Sequence, residues 1–309
     1  MKKYTLQIEL AGGIGNQLFR YFAGTVIAKE LNCKIVFIES KLPENHPQSN
    51  SLITDLKLSI PWDNHQGDPK IMAFLRGKGN SFYHKCNGQN KLGDKVWGIY
   101  REEKTGLIEE LELIKKRLDS FKVRTKLKLL GHFQNIEYFR ASQNSFNLNE
   151  FYPKAPSKKF IDFLARAKSE NFSIVHVRRT DFVNHKATNG LLSTQYYHKA
   201  LNLLQKLEPN LKLLVVSDDI NEAKKIIPKE FEYLSEFSEN FLPDNPAELL
   251  IALSFARNYV LSNSSFILWS ALLAQKSRYV IYPKPFNRDP SIDILNLPPT
   301  WINVTSDFE

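Results

Sequence analysis

The sequence predicts an α/β protein built from two Rossmann-like domains that face a cleft. Its 309 residues suffice for about two domains. A strand, a Gly-rich turn, a helix and a second strand follow one another within residues 4–40, which is the order of a βαβ unit in a parallel sheet. The same alternation returns after residues 152–159, where Pro and Lys accumulate as in a linker. We therefore expect an N-terminal domain over 1–155 and a C-terminal domain over 156–309.

Each element of the first half follows from its pattern of apolar residues. Residues 4–10 and 34–40 are short apolar runs typical of strands, and residues 18–31 place apolar side chains at helical spacing. Residues 105–121 predict an amphipathic helix, because its acidic residues come early and its basic residues late, as the helix dipole favours. Residues 126–133 predict a further strand. The stretch between the second strand and the amphipathic helix is rich in Asn, Gly, Pro and Lys and predicts loops.

The second half alternates helices and strands throughout, which predicts a second parallel sheet. Its expected elements are a helix at 159–168, a strand at 172–179, a helix at 194–207, a strand at 211–219, a helix at 220–227, and then helix, strand, helix and strand within 247–286. In such sheets, ligands lie beyond the carboxyl ends of the strands. The polar residues that follow the strands are therefore the candidates for a functional site.

The composition is that of a globular protein with a basic surface. Hydrophobic residues make up 42% of the chain and charged residues 24%, which excludes a mainly disordered protein. The net charge of +9 favours a polyanionic partner, namely nucleic acid, an anionic membrane or a phosphorylated ligand. The basic residues are spread along the chain rather than clustered with aromatics on one element, so a nucleic-acid-binding protein is the remote alternative.

The cysteines and the apolar segments predict a cytoplasmic protein. Cys33 and Cys86 do not make a disulfide framework, so we expect a reducing compartment. Gln7 and Glu9 interrupt the apolar run that a signal peptide needs. No stretch reaches the roughly 18–20 apolar residues of a membrane span. Peripheral contact between the basic surface and an anionic inner membrane stays open.

The Gly-rich turn after the first strand is the first candidate site. Gly13 and Gly15 let the backbone approach a ligand closely. The helix start that follows, with Asn16 and Gln17, offers N–H groups to an anion or a sugar hydroxyl. The turn lacks the full dinucleotide-binding pattern, so a tight connection between strand and helix explains it equally well.

Two adjacent arginines follow the central strand of the second half. Alternation along that strand places His176 and Arg178 on one face, with Arg179 at the exit. A diphosphate suits paired guanidiniums, because Arg donates two hydrogen bonds to phosphate oxygens. Asp181 is placed to orient one of the arginines. The alternatives are a surface cluster of Arg and Asp, and for His176 a hydrogen-bonded core residue.

Two further strand ends carry polar residues. Ser217, Asp218 and Asp219 follow one strand. A carboxylate there suits the N1–H and 2-amino groups of guanine, and capping of the next helix is the alternative. The run Ser-Asn-Ser-Ser at 262–265 opens another helix, where it either holds a phosphate or simply caps the helix. Together the three strand ends predict a nucleoside-diphosphate site.

The sequence contains no pattern that predicts a metal ion. It lacks a Walker Lys-Ser/Thr motif, an HExxH helix and paired CxxC motifs. It also lacks an Asp-x-Asp triplet of the kind that holds Mg²⁺ for nucleotide sugars. The adjacent arginines supply the neutralising charge instead, so we predict metal independence and no cofactor.

Five segments together resemble one family of enzymes. They are GGIGNQLFRYFAG, GHFQNIEYF, IVHVRRTDFV, VVSDD and LSNSSFILWSALL. In this order and spacing they resemble the inverting α-1,2-fucosyltransferases of glycosyltransferase family eleven, and the resemblance spans nearly the whole chain. It implies a GT-B type fold with an acceptor-side N-terminal domain and a donor site in the C-terminal domain.

The resemblance also implies a reaction and its substrates. The donor would be GDP-β-L-fucose and the acceptor a galactoside that receives the sugar on its 2-hydroxyl, without a metal. This is the activity of a galactoside 2-α-L-fucosyltransferase. The resemblance suggests a role in O-antigen or lipopolysaccharide synthesis, with a glycan acceptor carried on a lipid diphosphate.

Roles for individual residues follow from the same resemblance. Arg178 and Arg179 would contact the diphosphate, one of them stabilising the leaving GDP, while His176 and Asp181 would shape that site. The other implied contacts are Asp218 or Asp219 with guanine, Asn263, Ser264 and Ser265 with the β-phosphate, and Gly13, Gly15, Asn16 and Gln17 with the fucose or the acceptor. For a base that deprotonates the acceptor hydroxyl, the candidates are Asp181, Glu39 and His132.

Two departures from the family pattern lie beside the sugar-phosphate region. Thr180 stands where family members usually carry Gly. The usual tryptophan-rich helix start is reduced here to a run that keeps only Trp269. These differences leave another GDP-linked 6-deoxyhexose, such as GDP-colitose, open as the donor.

Overall fold

A computed structural model shows the chain as two compact units. The described residues are 4–39, 52–62, 98–104, 106–121, 125–143, 148–180, 182, 187, 189–237, 240–289 and 296–309. Unit 1 comprises Met1–Gly12, Phe19–Ser51 and Ser59–Ser145, and unit 2 comprises Gly13–Leu18, Leu52–Leu58 and Phe146–Glu309. The expected division into an acceptor-side domain 1–155 and a donor-side domain 156–309 stays a prediction, because contacts define the units without assigning a substrate to either.

Unit 1 contains a parallel sheet in the order β2-β1-β4-β3. Its strands are β1 (Thr5–Leu10), β2 (Lys34–Glu39), β3 (Ile99–Arg101) and β4 (Lys126–Leu130). Its helices are α1 (Ile14–Glu30), whose residues up to Leu18 belong to unit 2, α2 (Leu107–Asp119) and α3 (Glu137–Ser142). Strand β1 alternates between half-buried and buried residues, so that Leu6, Ile8 and Leu10 fill the core.

Helix α1 packs on this sheet through a close approach at Gly24. A Cβ at Gly24 would lie 3.1 Å from side-chain atoms of Ile8 and Phe37 and 3.2 Å from Ile35. An alanine at this position would therefore require these side chains to shift by a few tenths of an ångström.

Unit 2 contains a parallel sheet in the order β10-β9-β8-β5-β6-β7. Its strands are β5 (Ser173–Val177), β6 (Leu213–Ser217), β7 (Ser235–Glu236), β8 (Asn258–Val260), β9 (Tyr279–Lys284) and β10 (Ile302–Thr305). Its helices are α4 (Lys158–Ser169), α5 (Thr194–Leu207), α6 (Ile220–Ile226), α7 (Pro246–Leu253) and α8 (Ser265–Leu273).

Strand β5 is central in this sheet, and all five of its residues are buried. Its register pairs Val177 with Ser217, so β5 and β6 end at the same level. The residues that follow the two strands, from Arg178 and from Asp218 onwards, therefore lie side by side at the carboxyl edge of the sheet.

The two parallel sheets confirm the predicted α/β class. The sequence analysis did not predict β3, β7 and β10, which have three, two and four residues. Strands this short give no periodic pattern. It also did not predict α3 or the 3₁₀ helices Leu52–Asp55, Leu148–Phe151 and Lys229–Leu234.

Two smaller predictions concern the cysteines and membrane spans. Cys33 is buried beside β2, and its thiol donates to the carbonyl of Leu31 at 3.4 Å, while Cys86 lies outside the described residues. Over the ranges that the structure describes, no helix has both the length and the apolar content needed to cross a membrane.

Candidate active site

The end of β5 is organised by His176, whose side chain is buried. Its Nδ1 lies 2.7 Å from Ser262 Oγ, just beyond β8. Burial and the charge of Arg178, opposed by the carboxylate of Asp218, lower the pKa of His176 to about 3. The imidazole is therefore neutral at neutral pH. Its ring also lies 6.1 Å, centroid to centroid, from Phe266 in the first turn of α8, so His176 joins the end of β5 to the start of that helix.

The carboxylate of Asp218 holds the loop that follows β5. Its Oδ1 accepts the backbone N–H of Arg179 at 2.8 Å, and its Oδ2 accepts that of Thr180 at 3.1 Å together with the Thr180 hydroxyl. Oδ2 also lies 3.2 Å from Nε of Arg178. Burial raises the pKa of this carboxyl, but the Thr180 hydrogen bond, the Arg178 charge and the Arg179 N–H outweigh it, so the pKa is lowered. Asp218 is therefore ionised and fixes the exit of β5.

The two adjacent arginines have different surroundings. The side chain of Arg178 is 27% exposed, and its guanidinium lies 5.8 Å from the ring centroid of Phe182. The side chain of Arg179 is only 7% exposed, and its Nη2 donates to Glu309 Oε1 at 2.7 Å. Arg179 Nε is buried without a hydrogen-bond partner among the described residues. Because an unsatisfied buried donor is unfavourable, Arg179 is suited to an incoming anion. Asp181, predicted to shape this site, lies outside the described residues.

The residues that follow β6 turn into helix α6. Asp219 Oδ1 accepts the N–H of Glu222 at 3.0 Å and caps the helix. Ser217 Oγ accepts the N–H of Asp219 at 3.0 Å and donates to its carbonyl at 2.9 Å. The capping alternative therefore describes Asp219, and the contact of Asp218 or Asp219 with guanine stays a prediction.

The polar run before α8 caps that helix and ties down a neighbouring loop. Ser264 Oγ accepts the N–H of Phe266 at 3.3 Å as the N-cap. The side-chain amide of Asn263 donates to the carbonyls of Asn189 and Gly190, at 2.8 and 3.1 Å. Both side chains are buried and make hydrogen bonds within the protein. Their contact with the β-phosphate stays a prediction.

Helix α1 begins inside the Gly-rich turn, at Ile14, rather than at Leu18 as the apolar spacing predicts. The carbonyl of Gly13 accepts the N–H groups of Asn16 and Gln17 at 2.9 and 3.1 Å. These bonds make residues 14–17 the first helical turn. The segment Gly13–Leu18 belongs to unit 2.

Gly15 is where this turn meets the start of α8. A Cβ at Gly15 would lie 2.6 Å from the carbonyl carbon and oxygen of Ser265 and 2.8 Å from its Oγ. The hydroxyl of Ser265 in turn donates to Asn16 Oδ1 at 3.2 Å. A Cβ at Gly13, by contrast, would meet nothing within 4 Å. The two glycines, which had the same predicted role, therefore differ: Gly15 has no room for a side chain and Gly13 has.

Gln17 makes contacts within unit 2, and its contact with the fucose or the acceptor stays a prediction. The side chain of Gln17 is buried, and its Oε1 accepts the N–H of Ile53 at 3.1 Å. A buried amide needs such partners, and here it holds the 3₁₀ helix Leu52–Asp55 within unit 2.

The other candidates for a base lie in unit 1. Glu39 is exposed at the end of β2, and His132 is exposed just after β4. Partial desolvation of the ring, together with the charges of Arg20 and Lys104, lowers the pKa of His132. The imidazole is therefore neutral near pH 7, but the assignment of a base stays a prediction.

The sequence analysis missed a polar cluster at the carboxyl edge of the unit 1 sheet. Arg20 Nε donates to the carbonyl of Gly131 at 3.0 Å. Glu102 Oε2 accepts the N–H groups of His132 and Phe133 at 2.8 Å each. Glu102 follows the short strand β3, and without that strand the sequence gives no signal that its carboxylate faces the end of β4.

Within the described ranges, no group of three or more His, Cys, Asp or Glu side chains is placed to hold a metal ion. The cations at the end of β5 are instead the guanidiniums of Arg178 and Arg179. Metal independence stays a prediction, and the arrangement itself is suited to binding an anion.

Comparison with known proteins gives matches along the whole chain. The model of glycosyl transferase family 11 matches residues 114–303, more than half of the chain, and this region includes the arginines after β5. An α-1,2-colitosyltransferase of Escherichia coli is 26% identical over 96% of this chain and 97% of its own length. The O-antigen biosynthesis glycosyltransferase WbnK of Escherichia coli is 19% identical over 96% of this chain and 99% of its own length. Among solved structures, POFUT1 in complex with GDP-fucose aligns with a TM-score of 0.46 and 14% identity, over 91% of this chain and 97% of that one.

Proposed function

Because this chain belongs to glycosyltransferase family 11, we propose that it moves a 6-deoxyhexose from a GDP-sugar to a glycan hydroxyl, with inversion at the anomeric carbon. L-Fucose is the proposed sugar, and the 2-hydroxyl of a galactoside is the proposed acceptor. The observation that carries the proposal is the buried guanidinium of Arg179, whose Nε has no partner in the described part of the chain. It lies at a strand end beside a second guanidinium, that of Arg178.

The proposed chemistry is a single displacement. The acceptor oxygen bonds to the anomeric carbon on one face while the bond to the β-phosphate oxygen breaks on the other. The acceptor hydroxyl loses its proton to a base or to water, and the bonding electrons leave with GDP. Donors already aimed at this growing charge lower the barrier, because they need no reorganisation during the reaction. Arg178 and Arg179 supply such donors, and Asp218 holds the backbone of Arg179 and the side chain of Arg178 in place.

We propose that the two guanidiniums neutralise the diphosphate without a divalent cation. In calorimetry, GDP is expected to bind in EDTA as tightly as in Mg²⁺, whereas UDP and dTDP bind weakly. A transfer reaction that stops in EDTA and resumes with Mg²⁺ would contradict this part of the proposal.

Replacing the buried arginine tests the proposed role directly. Arg179→Ala is expected to lower the transfer rate by about 10²–10³, the usual loss when one donor to a developing oxyanion is removed. Arg257→Ala is the matched control, because Arg257 also pairs with a carboxylate in unit 2 but does so at Glu208, 3.2 Å away. Both variants should fold, as judged by circular dichroism. Wild-type turnover in Arg179→Ala would refute the role.

GDP-colitose is the second candidate donor, favoured by the identity with the Escherichia coli α-1,2-colitosyltransferase. Colitose lacks the 3-hydroxyl that L-fucose carries, so rates with both donors separate the two cases. A site that hydrogen-bonds the 3-hydroxyl rejects colitose by about 10⁴–10⁵, whereas a pocket built for colitose rejects the extra hydroxyl by only about 10². A strong preference for GDP-L-fucose supports the first proposal, and any preference for GDP-colitose supports the second.

A bacterial O-antigen intermediate on a lipid diphosphate is the proposed acceptor. The relative named for O-antigen biosynthesis supports this, and the net charge of +9 favours contact with an anionic membrane surface. The protein is expected to float with anionic vesicles at low salt and to dissociate at high salt. Equal flotation with neutral vesicles would contradict the proposal that positive charge drives the membrane contact. NMR of the product would identify the acceptor position.

A further inference from the structure

We infer that Glu309 is a positioning residue that fixes the guanidinium of Arg179 for the diphosphate, an inference that rests on the proposed function. Glu309 Oε1 accepts a hydrogen bond of 2.7 Å from Arg179 Nη2. It is the carboxylate that pairs with this arginine among the described residues. The contact joins residues 130 positions apart in the sequence.

The difference in exposure shows which partner depends on the other. The side chain of Arg179 is 7% exposed and that of Glu309 is 37% exposed. A buried donor depends on its acceptor far more than a half-exposed carboxylate, which water can solvate, depends on its donor. Glu309 therefore stabilises Arg179, and the hydrogen bond fixes the orientation of the flexible Arg179 side chain.

Glu309 is itself held by backbone contacts. Its N–H donates to the carbonyl of Leu191 at 2.8 Å, and Phe308 forms an antiparallel bridge with Leu192. The ring of Phe308 packs so closely on Gly190 that a Cβ there would overlap it. Backbone hydrogen bonds of Asp307 and Glu309 flank the bridge at Phe308. The carboxylate of Glu309 therefore approaches Arg179 from a segment whose backbone is fixed.

One hydrogen bond to Glu309 leaves the arginine with donors for a ligand. A guanidinium carries five N–H groups, and Arg179 Nε is buried without a partner in the part of the chain that the structure describes. A diphosphate oxygen that approached Nε would accept a hydrogen bond from this unpartnered N–H. Binding groups are effective only when their own orientation is fixed by supporting contacts, and Glu309 provides such a contact.

The test compares Glu309→Ala with Glu309→Gln. The Gln side chain keeps an oxygen that accepts from Nη2, whereas Ala removes it. Asp307→Asn is the matched control, because Asp307 lies two residues away and accepts from Ser193 Oγ at 2.6 Å rather than from Arg179. The first readout is the Nε–H resonance of Arg179 in the ligand-free protein, assigned by its loss in Arg179→Lys. The second is kcat and KM for transfer from the GDP-sugar.

Glu309→Ala is expected to speed the exchange of the Arg179 Nε–H and to lower kcat by about 10- to 100-fold, as small misplacements of a positioned group do. Glu309→Gln and Asp307→Asn are expected to keep the resonance and most of kcat. An unchanged resonance and kcat in Glu309→Ala would overturn the inference. Tighter GDP binding in both Glu309 variants would also overturn it, since Glu309 would then compete with the ligand. The two proposals can fail separately. If the wild-type protein binds no GDP, the proposed function fails. If Glu309→Ala nevertheless speeds the exchange of the Arg179 Nε–H, the orientation of Arg179 by Glu309 stands.

Discussion

Gly15→Ala should destabilise unit 2, whereas Gly13→Ala should not. The added methyl group at Gly15 would lie 2.6 Å from the carbonyl carbon and oxygen of Ser265, where ordinary contacts begin at 3.4 Å. Because these are backbone atoms at the start of α8, they cannot rotate away as a side chain can. The methyl group at Gly13 would meet nothing within 4 Å.

The magnitude follows from two opposing effects. Forcing a methyl group into a packed contact costs about 1–3 kcal/mol. Replacing Gly by Ala in a helix returns up to about 1 kcal/mol, and Gly15 lies in the first turn of α1. We expect a net loss of about 1–2 kcal/mol, which corresponds to a melting temperature lower by about 2–8 °C.

Scanning calorimetry of the two alanine variants and the wild type measures this difference. A melting temperature for Gly15→Ala equal to that of Gly13→Ala would refute the steric reasoning. The double variant Gly15→Ala/Ser265→Ala separates backbone from side-chain overlap. It should remain as unstable as Gly15→Ala, because the nearest atoms are not the hydroxyl. Recovery of wild-type stability in the double variant would show that the hydroxyl alone was in the way.

Three further outcomes are expected. The ring signals of His176, whose pKa is near 3, should not titrate between pH 5 and 8 in NMR. Because an unfolded His takes up a proton near pH 6.5, the free energy of unfolding should fall below that pH by up to about 1.4 kcal/mol per pH unit. Asp218→Asn should remove the stability that the lowered pKa of Asp218 contributes above about pH 3.9, so the loss of unfolding free energy between pH 7 and pH 3 should be smaller in this variant than in the wild type. Glu248→Ala should cost about 1–3 kcal/mol in urea unfolding, because Ser157 N donates to this buried carboxylate at 2.7 Å. Asp162→Ala, which breaks an exposed pair, should cost under about 1 kcal/mol.

The sequence predicted the part of the site that depends on strand ends. Strand β5 is a buried apolar run that stops at Val177, and the arginines that follow emerge at the carboxyl edge of the sheet. Parallel pairing then brings Arg178 beside Asp218 without any further information. Pattern and register together place the two strand ends side by side, but the pairing of Asp218 with Arg178 was not predicted, since Asp181 was expected to orient an arginine.

Contacts between distant segments could not be predicted in the same way. Gln17 is polar and lies in a Gly-rich turn, which resembles a ligand contact, but its partner is the backbone of Ile53. Glu309 follows a strand of four residues and reaches Arg179 through a pairing of residues far apart in the chain. No local pattern encodes either contact, because both depend on which segments the folded sheet places together.

The composition of unit 2 has a consequence for protein synthesis and for the making of chimaeras. Two short stretches, Gly13–Leu18 and Leu52–Leu58, leave the ribosome long before Phe146–Glu309, yet they belong to the same compact body. The Ser265 hydroxyl reaches back to Asn16, and the amide of Asn245 donates to Asp55 at 2.7 Å. This body cannot be completed during synthesis until the long stretch Phe146–Glu309 has emerged. Grafting residues 146–309 alone onto a related enzyme would also leave both early stretches behind.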